Sequence, residues 1–226
     1  MAQRLLLLMV LILGVSPVFG APFIIGDAAN TGIGTWVFVA CPATSSCAAA
    51  TPGSPVATYE PASPQASWLA NSATSQWITP APPAPGNEIP GFYTYRMTFD
   101  LTGFQPGTAT LTFRAAADDL LSNVLINNTS TGVSFIGFGE WHPTLAPGSY
   151  TISSNFVAGV NTLDFIVENM TGVPAIGNSP TGLRVEILSA EADEVEVVVP
   201  EPASLGLMGL GLIGLATFRI RRRKKA

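Results

Sequence analysis

Few side chains in this 226-residue chain are of a kind that does chemistry, and they fall into three groups. Asp118-Asp119 places two carboxylates side by side. A Ca2+ ion takes roughly six to eight oxygens, so the pair would need Asn123 or backbone carbonyls to complete a shell. The same residues suit a plainer task, capping a turn through side-chain bonds to nearby backbone amides. No Asp-x-Asp-x-Asp calcium loop is present. The second group is Trp141-His142-Pro143, preceded by Phe135, Phe138 and Glu140. A flat apolar ring stacks on a sugar, and a neighbouring carboxylate accepts from its hydroxyls. The alternative is a core or edge Trp141 with His142 facing solvent; Trp36, Trp68 and Trp77 take the same core assignment, because a sandwich buries aromatics routinely. Asp118, Asp119 and Trp141 are the candidate ligand-binding residues. The third group is Cys41 and Cys47, flanking Pro42-Ala43-Thr44-Ser45-Ser46. In an oxidising compartment two thiols this close pair as a loop staple, stabilising by about 2 kcal/mol on the chain-entropy model.

Catalysis finds little support. His142 is the one histidine, there is no Gly-x-Ser-x-Gly, and neither cysteine is expected to be free, so no nucleophile and base can be paired. Asp118, Glu140 and Glu168 could supply the two carboxylates of a glycoside hydrolase, but spacing along the chain does not set their separation. With one histidine and two cysteines a zinc site is not expected. We expect no catalytic residue, no metal and no cofactor.

The elements that must position these residues are strands. Tyr93, Tyr95, Met97, Phe99 and Leu101 alternate with Thr94, Arg96, Thr98 and Asp100, the period of a half-buried strand. Residues 108–115 repeat it, with Ala109, Leu111, Phe113 and Ala115 inward, and the turn at 103–107 suggests a hairpin-like pair. Shorter strands are predicted at 35–40, 124–126, 132–135, 150–152, 162–167 and 183–188, punctuated by Asn127-Asn128, Ala146-Pro147-Gly148 and residues 158–161. The Pro-rich stretch 79–86 cannot lie inside a sheet. Many short strands with Gly, Pro and Asn between them predict an all-β, antiparallel β-sandwich.

The stretch from Tyr93 to Asn127 resembles the jelly-roll, galactose-binding-like domains of exported bacterial proteins. The residues that carry this are 93–101, Ala117-Asp118-Asp119 and Val124-Leu125-Ile126-Asn127, followed later by Gly159-Val160-Asn161-Thr162-Leu163-Asp164-Phe165 and Gly182-Leu183-Arg184-Val185-Glu186. The resemblance implies a fold; its motifs are structural and name no ligand.

Both ends look like signals. Arg4, an apolar run at 5–15 and Val18-Phe19-Gly20 before Ala21 make a secretory signal peptide, handled by the translocon and signal peptidase. At the other end, Pro200-Glu201-Pro202 precedes an apolar stretch, 203–218, and then Arg219, Arg221, Arg222, Arg223, Lys224 and Lys225. Sixteen residues of helix reach about 24 Å, just short of a roughly 30 Å hydrocarbon core. Gly206, Gly209, Gly211 and Gly214 are tolerated there because lipid offers no competing hydrogen bonds, and the six cations stay cytoplasmic. Residues 199–225 resemble the PEP-CTERM sorting signal of Gram-negative bacteria. That resemblance implies recognition by an exosortase, a membrane-embedded cysteine transpeptidase-like enzyme, and removal of the anchor.

Between the signals lie three cations (Arg96, Arg114, Arg184) and fourteen acidic residues, a net charge of −11. Such a domain repels phosphate backbones, which sets nucleic acid aside as a partner. The expected organisation is a signal peptide (1–20), a β-sandwich (21–188), an acidic linker (189–199) and a sorting signal (200–226). The expected function is that of an exported, noncatalytic protein, anchored in the inner membrane as a precursor and then placed at the cell surface or outside. A tie to exopolysaccharide or biofilm matrix follows from the resemblance, and the alternatives are a carbohydrate-binding module or a glycoside-active enzyme.

Overall fold

Alternating strands have one dry face each, and two such faces become dry by packing together. The computed structural model describes residues 21–22, 29–43, 45, 47, 56–57, 68–80, 88–136, 148–170 and 180–196. In it two antiparallel β-sheets pack face to face as a β-sandwich. The described strands are β1 (Ala21–Pro22), β2 (Val37–Ala40), β3 (Val56–Ala57), β4 (Gly91–Asp100), β5 (Thr110–Asp118), β6 (Leu120–Ile126), β7 (Thr129–Ser130), β8 (Phe135–Ile136), β9 (Tyr150–Ile152), β10 (Val160–Asn169) and β11 (Gly182–Ala192). One sheet has the order β1-β11-β5-β9; the other runs β3-β2-β4-β10-β6-β7, with β8 also on β6. The chain divides into two compact units, Met1–Glu194 and Val195–Ala226, and all these strands belong to the first.

The core is made by the inward residues of both sheets. Tyr93, Tyr95, Leu163, Phe165, Val167, Leu121 and Val124 meet Leu111, Phe113, Ala115, Leu183 and Val185, all with no exposed surface. Phe165 joins the layers, its ring 5.3 Å from Phe113 across the sandwich and 5.7 Å from Trp36.

Three local expectations need correction. β4 and β5 do not form a hairpin: β4 pairs with β10 and β2, whereas β5 pairs with β11 and β9 in the opposite sheet. Period two reports that one face is dry, which is equally true of partners in one sheet and of neighbours across two. β4, β5 and β6 lie in alternating sheets, so the short connection through a 3-10 turn at Pro106–Thr108 crosses the sandwich. Next, residues 189–192 are not linker, because β11 runs to Ala192 through a register shift between Ile187 and Ser189, and Ala190 and Ala192 are buried. Finally, the strand expected at 132–135 is displaced. Asn127 and Asn128, at φ 50° and 63°, close a tight hairpin from β6 to β7, and pairing resumes at Phe135–Ile136.

The signal peptide and the apolar span 203–218 lie outside the described residues. Among the described residues no helix is long and apolar enough to cross a membrane.

Candidate functional site

The acid pair sits where β5 turns into β6, held by residues remote in sequence. Asp118 ends β5 on the outer face of its sheet, where it accepts a hydrogen bond at Oδ2 from the Trp68 indole N–H at 2.6 Å. Its backbone carbonyl accepts from Thr181 Oγ1 at 2.7 Å, while Asp119 Oδ2 accepts from the Met170 backbone N–H at 2.8 Å. The pair therefore ties the end of β10 and the start of β11 to the β5–β6 corner. Burial pushes the Asp118 carboxyl up to about 7, the neighbouring Asp119 acts in the same direction, and the indole donor partly opposes both.

Trp68 belongs to a strap, residues 68–80, that lies on the same outer face. Its ring stacks on Trp77 at 4.2 Å, and the two cover Ala116 in a small apolar cluster separate from the main core. The strap is bound to β11 by Arg184, which is fully buried and donates to Ala70 O at 2.5 Å, Ser72 Oγ at 2.9 Å and Ser75 Oγ at 3.0 Å. Burial lowers the Arg184 guanidinium to about 10, leaving it charged at neutral pH; Glu186 opposes that shift. Ile78 exchanges backbone bonds with Leu183 at 2.9 and 3.0 Å, and Thr31 bridges Gln76 to Val185. Gly182 is required by closeness, since a Cβ there would lie 2.6 Å from Trp68 Cη2.

Through the Trp68 indole and the Met170 amide the carboxylates of Asp118 and Asp119 fasten distant segments to the β5–β6 corner. Among the described residues no group of three or more His, Cys, Asp or Glu side chains could hold a metal ion. Trp141, His142 and Glu140 lie outside the described residues. Trp36 is a core residue that donates to Ala29 O at 3.0 Å. Cys41 and Cys47 are joined as a disulfide, and Ser45 between them donates to Pro42 O at 2.6 Å.

Two features were not singled out from the sequence. Phe92 is 53 % exposed on the outer face of the second sheet, opposite Glu168, which in turn faces Leu120. An aromatic at an outward position of an alternating strand was the available signal. On the same face Arg96 forks onto both oxygens of Asp164 at 2.6 Å, which raises the Arg96 guanidinium further. At the opposite end from the acid pair, the chain beyond β11 is held on the crossing turn by bonds from Gln105 to Asp193 O and Glu194 O.

Residues 198–223 match the family model of the PEP-CTERM protein-sorting motif. The match spans Pro200, Glu201, Pro202, the apolar stretch and Arg219, Arg221, Arg222 and Arg223, all outside the described residues. The chain matches no curated protein and no solved structure. The motif is one that marks an exported protein for processing by an exosortase.

Proposed function

We propose that this chain is a noncatalytic protein of the cell surface or extracellular matrix, delivered through an inner-membrane precursor and associated with exopolysaccharide or biofilm matrix. The observation that carries the proposal is the sorting motif at 198–223 behind a β-sandwich. The net charge of −11 between the signals, from three arginines and fourteen acids, fits a partner that is neutral or bridged by cations. Intact mass and cell fractionation test it, comparing the native protein with a chain in which Pro200-Glu201-Pro202 becomes Ala-Ala-Ala. A native mass ending near Pro202 and found outside the membrane, with the variant full length and anchored, supports the proposal. Retention of the tail by both overturns it.

A second reading is a carbohydrate-binding module. It is supported by the exposed Phe92 ring beside Glu168, the chemistry that stacks on a sugar and accepts from its hydroxyls. Glycan binding lost on Phe92→Ala, or on Trp141→Ala, would favour it; binding unchanged in both would remove it.

A further inference from the structure

The order of the first unit continues two residues past the last strand, and the bonds responsible are specific. Gln105, preceding the 3-10 turn, donates its backbone N–H to Asp193 O at 2.7 Å and its side-chain Nε2 to Glu194 O at 2.9 Å. Asp193 N–H donates to Thr108 Oγ1 at 2.8 Å, and that hydroxyl donates to Gln105 O at 2.9 Å, which turns its lone pairs toward Asp193. Phe104 and Glu194 complete an antiparallel bridge. Gln105 and Thr108 are themselves exposed, so the clamp contributes little to the core.

We infer that this clamp, built from Phe104, Gln105 and Thr108, sets the number of residues between the last bond to the sandwich and the sorting motif, and so limits how readily the motif is processed. The inference rests on the sorting function proposed above. Five residues, Val195-Glu196-Val197-Val198-Val199, separate clamped Glu194 from Pro200, a spacer of about 18 Å when fully extended. Four of the five are valine, whose branched side chain favours extended backbone. An enzyme that takes Pro-Glu-Pro into a cleft needs extended chain on its approach side, and a folded β-sandwich cannot follow it in. With the clamp open, the nearest paired residue is Ala192 and the spacer grows to seven residues, at most about 25 Å.

The test follows processing of the full-length precursor in its own cells by pulse-labelling and intact mass. Deleting residues 195–197 leaves the matched motif intact and should slow processing at least tenfold. Adding Gln105→Ala and Thr108→Ala to the deletion should recover at least half of the native rate, and inserting Gly-Ser-Gly at the deletion should do the same with the clamp closed. Protease resistance of the released domain confirms that each chain folds; a folded double substitution that fails to rescue overturns the clamp, and if the double substitution does not fold, Gln105→Ala alone takes its place. A deletion chain processed at the native rate overturns the clamp, as does failure of the insertion to rescue. The Ala-Ala-Ala chain separates the two ideas: if it is processed normally, the sorting function fails, whereas if it is blocked while spacer length has no effect, only the clamp does.

Discussion

The two outer faces of the sandwich come from strands with the same alternating pattern, yet they live in different surroundings. On the β11-β5 side the strap at 68–80 covers the face, so both sides of the first half of β11 are buried and a guanidinium sits where solvent would otherwise be. On the β4-β10 side nothing comparable is found among the described residues, and Phe92 stands exposed while Arg96 and Asp164 pair with each other. Polarity is thus inverted with respect to burial: a charged residue lies inside one face and a large aromatic lies outside the other. A buried polar group is held by the cost of leaving its partners unsatisfied, whereas an exposed apolar group contributes little to the fold. Among the described residues the first face is closed by the strap, and the second carries the exposed Phe92.

The contrast is tested most severely at Arg184. Arg184→Ala removes the guanidinium bonds to Ala70 O, Ser72 Oγ and Ser75 Oγ and opens a void, so a loss of about 3 kcal/mol or more is expected in denaturant unfolding. Gly182→Ala comes next, because the added methyl collides with Trp68; about 1 to 3 kcal/mol and a change in tryptophan emission are expected.

A pH-dependent effect comes from Asp118. Its carboxyl is raised from 3.8 to about 7 in the folded chain, so between those values the unfolded chain loses a proton that the folded one keeps. Stability should therefore fall as pH rises from about 4 to about 7 and level off above. Asp118→Asn retains an oxygen for the Trp68 N–H and should flatten that slope in thermal melts taken across the window. Phe92→Ser should change stability least, by under about 0.5 kcal/mol. If it costs more than Gly182→Ala, the open face is not open, and the contrast between the faces collapses.

The parts legible in the sequence were those governed by local alternation. The inward set Tyr93, Tyr95, Met97, Phe99 and Leu101 is buried as the pattern implies, and β9 occupies 150–152. What escaped notice depends on remote partners. Trp68 and Asp118 are 50 residues apart, Asp119 and Met170 51, and neither pairing leaves a trace in spacing. Trp68 and Trp77 are buried, as an aromatic in a sandwich should be, but they fill a cluster outside the main core because irregular chain at 68–80 folds over the sheet. Irregular backbone has no period, so a strap is invisible until the strand it covers is known. The acidic residues after 188 looked like linker because acids favour solvent, yet Glu191 and Ser189 occupy outward positions of a strand whose Ala190 and Ala192 point inward.

One consequence of β11 concerns completeness. This strand is bound by β5, by β1, by Asn30 and Thr31, and by the strap, so several segments made earlier share one late partner. Arg184 follows Ala70 by 114 residues, and a chain synthesised from its N-terminus must wait for it with an unpaired sheet edge. The strand's last residue, Ala192, is followed closely by the motif that begins at 198. A chain interrupted in synthesis before residue 182 would lack both the closing strand and the address. The motif therefore follows the strand in synthesis: a molecule that presents it has already made the strand that finishes its fold.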